Sequence, residues 1–341
     1  MWWRLPSVDI ESVSLDSEGD DLRSVRAFLD SQETPGVTPF HRPIWNEIVQ
    51  EVFETSFVYL VALRGSKVVG AMPCHVVKLG DWSRCCYSPP RIFEVPYGGP
   101  LVSSGAPGGI QTALVRAAAR LGHGSVVDVF CGPDSSDWAW ESGLHVRRFE
   151  TGYADLTRGI DWVWSHSVDS KRRNMIRKAQ RSDVSVRLAG HAGLDDYYEL
   201  CETMAGRTHI NPLPKAYYEG VLRGLGSNAQ LLLATRHGTT LAGGIFLKDG
   251  CTAYYWHGAS AGDAGNHGQG ELLQWRAIEW ASAHGCAQYD LVGIERERLP
   301  NIAKFKLGFT DKEAGFAHVS YAPMTVRARR KVGTMVRGDG G

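Results

Sequence analysis

Apolar residues recur along this chain with two alternating periods, and the order of those periods repeats. Residues 59–77, YLVALRGSKVVGAMPCHVV, place apolar runs on either side of a glycine-containing turn, which predicts two antiparallel strands. Residues 105–130, GAPGGIQTALVRAAARLGHGSVVDVF, predict a glycine-rich loop, an amphipathic helix, a glycine stop and a short apolar strand carrying Asp128. The second half runs through the same series. Residues 231–250, LLLATRHGTTLAGGIFLKDG, predict the hairpin again, and residues 265–292 predict loop, helix, stop and a strand carrying Asp290. Helical stretches open both halves: 43–53, with Trp45, Ile48, Val49 and Val52 on one face and Pro43 near the start, and 195–209. The pattern is that of a duplicated α/β domain. Its join is expected near 156–165, just before a basic helix over 167–182.

Composition narrows the class without changing the pattern. The chain has 341 residues, long enough for two cores of ordinary size, and 43% of them are hydrophobic and 22% charged. Its 37 basic side chains balance 37 acidic ones, so no global field marks it for nucleic acid. Charge is instead local: SKRRNMIRKAQRS (170–182) and RARRK (327–331) are basic, and DIESVSLDSEGDD (9–21) is acidic. The start, MWWRLPSVDIESV, reads as no secretory signal, no stretch has the apolar length of a membrane span, and the seven cysteines form no Cys-x-x-Cys pair, which predicts a cytoplasmic protein. The 12 histidines are scattered, with no His-Glu-x-x-His, and neither a Walker loop nor a Gly-x-Ser-x-Gly elbow occurs, so no metal or cofactor is expected.

Several stretches then carry a resemblance. TPFHRPIW (38–45), VPYGGPLV (95–102), SKRRNMIRKAQRSDVSV (170–186), ETMAGRTHINPLPKAYY (202–218), AYYWHGAS (253–260), LLQWRAIEWASAHGCAQYDLVG (272–293) and FKLGF (305–309) occur in this order over nearly the whole chain. The chain thereby resembles the Fem-type (FemAB-like) aminoacyl transferases, which form peptide bonds with aminoacyl-tRNA as donor on a tandem GNAT fold. The resemblance implies an α/β protein of two GNAT-like domains. The first, 1–160 completed by 318–335, takes the acceptor side, and the second, 161–317, takes the donor side. The long coiled-coil arm of some cell-wall members is absent, and no lysine stands in 45–52 to meet an acceptor's nucleotide phosphates. A peptidoglycan precursor and a small natural product both stay open as the amine acceptor.

The same resemblance distributes the candidate residues. Read alone, Lys306 is a lysine with a packed stem and a wet head. The resemblance implies that Lys306, with the backbone at Phe305, stabilises the oxyanion formed when an amine attacks an aminoacyl ester. It also implies Arg207 and Tyr217 as lining the acceptor pocket, with Tyr97 counted among the acceptor-binding residues. Tyr255 and Asp290, on strands expected to face the same cleft, are candidates to bind and orient the amine or relay its proton. Lys171, Arg173, Arg177 and Lys178 would follow the phosphates of an RNA acceptor stem. The glycine loop 262–270, with Gly268 and Gly270 before a helix, fits an acyl-CoA pyrophosphate as the alternative donor. A non-catalytic binding protein keeping the duplicated fold is the remaining alternative, and a monomer is expected.

Overall fold

A computed structural model describes residues 8–16, 20–78, 84–121, 126–208, 211–262 and 265–322. The basic stretch 327–331, and the part of 318–335 beyond 322, lie outside them. The chain divides into two compact units, unit 1 from residues 1–149 with 315–341 and unit 2 from residues 150–314.

In unit 1 the elements are β1 (Asp9–Val13), α1 (Asp20–Asp30), α2 (Pro43–Phe53), β2 (Ser56–Arg64), β3 (Lys67–Lys78), β4 (Arg84–Ser88), β5 (Leu101–Val102), α3 (Ile110–Leu121), β6 (Val126–Phe130) and α4 (Asp137–Glu141). The chain leaves unit 1 inside β7 (His145–Asp155). Unit 2 continues with α5 (Ile160–His166), α6 (Ser170–Arg181), β8 (Ser185–Leu188), α7 (Leu194–Thr208), α8 (Lys215–Leu225), β9 (Ala229–Arg236), β10 (Thr239–Asp249), β11 (Thr252–Ser260), α9 (Gln269–Ala283), β12 (Gln288–Asp290) and α10 (Pro300–Leu307). The chain returns to unit 1 inside β13 (Lys312–Tyr321).

The duplication read from the apolar periods is present in the strand order. Unit 1 runs β1-β2-β3-β4-β6-β13, with β5 against β3, and unit 2 runs β8-β9-β10-β11-β12-β7. In both, four antiparallel strands are followed by one parallel neighbour, β6 beside β4 and β12 beside β11. A crossover helix, α3 or α9, makes each parallel step, as parallel strands require. Each sheet is closed by the strand that ends the other repeat in sequence: β7 pairs with β12, and β13 pairs with β6. This exchange puts the division at 149/150 and 314/315, earlier than the sequence boundaries of 160/161 and 317/318. The reason is that β7 is one unbroken strand whose second part belongs to unit 2.

Both faces of the unit 1 sheet are covered. Leu60, Met72, Val127 and Val319 pack beneath α3 on Leu114 and Ala118, while Tyr59, Val61 and Ala71 pack on Val25 and Phe28 of α1. In unit 2, α9 buries Leu272, Leu273, Trp275, Ile278 and Ala281, a stripe too wide for a surface helix, against Leu232, Ala242, Phe246 and Tyr289. Gly268 precedes α9 with φ +80°, and a Cβ there would lie 2.2 Å from the Met175 carbonyl oxygen. Only glycine lets the loop approach α6 so closely.

Candidate active site

The site in unit 2 grows from the place where two parallel strands stop pairing. The β11–β12 register runs Thr252 to Gln288, Ala253 to Tyr289 and Tyr254 to Asp290. Just beyond it, β10 and β11 fall out of step between Ile245, opposite His257, and Phe246, opposite Tyr255, leaving Trp256 as the extra residue of a bulge. On the other strand the chain turns through Val292 and Gly293, with φ +50° and +60°. Hydrogen bonds to β7 close that turn on both sides, from Leu291 N–H to Gly152 O at 3.0 Å and from Ile294 N–H to Glu150 O at 2.7 Å.

Into this turn reaches Lys306, from the last turn of α10. Its ammonium donates to the carbonyls of Val292 and, at 3.0 Å, Gly293, and it stands 5.8 Å from the centroid of the Tyr255 ring. Asp290 is 2% exposed, and its Oδ1 accepts the Thr151 hydroxyl at 2.5 Å and the Val292 N–H at 2.7 Å. The Tyr255 hydroxyl meets Gln274, whose Oε1 accepts the Tyr289 hydroxyl at 2.6 Å. Burial pushes the Tyr255 phenol up to about 12, so it remains a neutral donor at physiological pH. Phe305 is half-buried with its ring 5.4 Å from Phe309, and it fills the space that a Cβ at Gly270 would meet. Lys306 is thus brought to Tyr255 and to the turn that Asp290 holds, while Phe305 meets Gly270.

The basic helix divides into buried and exposed cations. Arg172 points inward, its Nη1 2.7 Å from Glu271 Oε1 and its Nη2 3.2 Å from Lys304 O, joining α6 to the first turn of α9 and to α10. Arg173 donates to the carbonyls of Trp164, Ser165 and Val168, where it closes the C-terminal end of α5. Lys178 donates to Asn266 O in the glycine loop at 2.6 Å, while Arg177 stands 5.4 Å from the Trp164 ring. Lys171, Arg177, Lys178 and Arg181 are the exposed cations of α6. Inside the loop, the N–H of His267 donates to Gln269 Oε1 at 2.9 Å and that of Gly268 to Asn266 Oδ1 at 3.2 Å.

Three expected acceptor residues lie elsewhere. Arg207 ends α7 and donates to Ser260 O at 2.6 Å, at the far end of β11. Tyr217, on α8, is fully buried edge-on to Trp256, whereas Tyr255 faces α9. Tyr97 is in unit 1, buried between Phe40 and Phe316. The sequence reading missed Thr151, Val292, Gln274 and the Arg172–Glu271 pair. Asp128, which the repeat sets opposite Asp290, has its own partners in unit 1: its Oδ1 accepts from Ser320 at 3.1 Å and pairs with His318, whose ring stacks on Phe130 at 3.9 Å. Among the described residues no group of three or more His, Cys, Asp or Glu is placed to hold a metal, and no helix is long and apolar enough to cross a membrane.

Comparison with known proteins follows the same division. A family model described as an acetyltransferase (GNAT) domain matches residues 167–304. Among solved structures, FemX superposes with a TM-score of 0.66 at 15% identity, over 91% of this chain and 97% of that one. A structure of L-PGS from Bacillus licheniformis gives 0.58 at 12% identity, over 92% and 96%. A tandem GNAT protein from the clavulanic acid biosynthesis pathway gives 0.56 at 14% identity, over 93% and 99%. No curated protein sequence matches the chain.

Proposed function

We propose that this chain, which has a tandem GNAT fold, is an aminoacyltransferase, moving an amino acid from aminoacyl-tRNA to an amine and forming an amide bond. The observation that carries the proposal is the Lys306 ammonium, clamped by the carbonyls of Val292 and Gly293 beside the Tyr255 ring, where β11 and β12 part. In the reaction the acceptor nitrogen bonds to the ester carbonyl carbon and the carbonyl oxygen becomes an oxyanion. The carbon–oxygen bond to the ribose then breaks, and that oxygen leaves with the proton lost by the amine. A cation fixed before reaction stabilises the oxyanion without reorganising. The Phe305 ring, packed against α9 at Gly270, walls the position and limits water.

The donor is argued from charge. Lys171, Arg177, Lys178 and Arg181 lie exposed on α6, as polyanion binding needs. The loop amides of His267 and Gly268, which would cradle a pyrophosphate, are engaged by the side chains of Gln269 and Asn266. An acyl-CoA donor is the second reading, favoured by the glycine loop's position at the N-terminus of α9 and by the acetyltransferase-type domain match. A donor of charged tRNA sets the reaction in the cytoplasm, with a peptidoglycan precursor or a small natural product as the amine. The test is single-turnover transfer by Lys306→Ala. The rate constant is expected to fall by about 10²- to 10³-fold, the loss typical of removing one oxyanion partner, with the fold intact. Turnover within threefold of the parent, on either donor, removes Lys306 from the mechanism.

A further inference from the structure

Val292 is a β-branched residue in the left-handed region, at φ +50°, followed by Gly293 at +60°. Side chains branched at Cβ rarely adopt that backbone, so the surroundings must impose it. The bonds of Leu291 and Ile294 to β7 fix the two ends of the turn, and the contact made by Val292 itself is to a carboxylate oxygen. Asp290 Oδ1 takes the Val292 N–H across a two-residue turn and is itself fixed by the Thr151 hydroxyl from β7. Carboxylates favour such local turns because they hydrogen-bond the backbone two residues on. The consequence lies on the other side of the turn, where the successive carbonyls of Val292 and Gly293 converge on the Lys306 ammonium.

We propose that Asp290, braced by Thr151, is a positioning residue: it holds Val292 in its left-handed conformation so that two adjacent carbonyls aim Lys306. This departs from the role expected from sequence, in which Asp290 orients the amine or relays its proton. At 2% exposure, with Oδ1 already accepting two protein donors, Asp290 is arranged as a brace. The inference rests on the reading of Lys306 as the oxyanion partner. Its geometric part, the hold on the turn, does not.

The experiment compares Asp290→Asn, Asp290→Ala, Val292→Gly and the double variant Asp290→Ala/Val292→Gly in the full chain, after circular dichroism has established the fold of each. Asparagine keeps an oxygen that accepts from Thr151 and Val292 but carries no charge and no exchangeable carboxyl proton. Glycine adopts the left-handed turn without help. Asp290→Ala should lower kcat by about 10- to 100-fold with little change in either KM, the scale of a misplaced catalytic group. Asp290→Asn should keep at least ten times the alanine variant's rate, and the double variant should recover most of the loss. Equal losses in asparagine and alanine variants would overturn the proposal in favour of proton transfer, as would a double variant no better than Asp290→Ala. Hydrogen exchange at residues 291–294 gives an activity-independent readout: faster in Asp290→Ala, restored in Asp290→Asn. If Lys306→Ala proves fully active, the oxyanion reading falls, and exchange alone decides whether Asp290 holds the turn. If Asp290→Ala does not fold, the asparagine variant against the parent decides: loss of exchange protection there refutes the brace.

Discussion

Replacing Arg172 by Ala should be among the costliest single changes in unit 2. Its guanidinium lies 2.7 Å from Glu271 Oε1, and the two side chains are only 8% and 11% exposed. Removing one partner of such a pair leaves the other charge buried, which costs about 3–5 kcal/mol. The Nη2 bond to Lys304 O adds about 1 kcal/mol. Set against these, Glu271 stays in the first turn of α9, where the helix dipole returns up to about 1 kcal/mol. The expected loss is therefore about 4 kcal/mol, measured by urea unfolding followed through tryptophan fluorescence. Glu271→Ala should cost a similar amount. The double change to methionines, Arg172→Met/Glu271→Met, should cost less than either, since apolar replacements of a buried pair are often neutral. Because Arg172 also holds α10 near Lys306, the single variants should lose transfer activity before they unfold. A loss below about 1 kcal/mol for Arg172→Ala, or a methionine double variant costing more than either alanine variant, would refute the buried pairing.

Two further outcomes are expected. Changing Lys171, Arg177 and Arg181 to Gln should flatten the dependence of log affinity for charged tRNA on log salt, by about 0.7–0.9 for each phosphate no longer neutralised. Arg173→Gln should leave that slope alone and instead destabilise unit 2, since its guanidinium is spent on the carbonyls of α5; an unchanged slope in the triple variant would exclude α6 as the phosphate track. The second concerns acid. Burial lowers His41 to about 4 and His75 to about 3, from 6.5. The folded state thus rejects protons that the unfolded state binds, and stability is full above pH 6.5 and falls as pH drops toward the folded values. Near pH 5 the two together cost about 4 kcal/mol, at about 1.4 kcal/mol per pH unit each. His75→Gln, with Thr55 and Asn46 still in reach, should halve that slope between pH 6.5 and 5 in urea titrations; an identical slope would sink the assignment.

Much of the fold was legible because local signals and tertiary packing agree. The hairpins at 59–77 and 231–250 and the helices and strands of the units that carry Asp128 and Asp290 have their own local signals, and these elements are present; the first unit's glycine stop, at 122–124, lies outside the described residues. The exchange of β7 and β13 was only half legible: 318–335 was expected to complete the first domain, but nothing in 145–155 signals that the strand passes into unit 2. Long-range pairing leaves no local mark. For the same reason Thr151, 139 residues before Asp290, was invisible as its partner. The basic helix shows another limit. Arg172 and Arg173 read like their neighbours, yet the first is buried on Glu271 and the second caps α5, because the helix phase sets which cations face the core. The left-handed Val292 had no signature either, since propensity argues against it.

The donor decides which reaction this protein carries out, and one assay identifies it. Purified protein is given an amine acceptor with a mixture of charged tRNAs, with and without ribonuclease, beside a parallel reaction with acyl-CoA. Amide product is expected from charged tRNA, abolished by ribonuclease, and none above background from acyl-CoA. Ribonuclease-resistant transfer from acyl-CoA, with no product from charged tRNA across the amino acids tested, would contradict it.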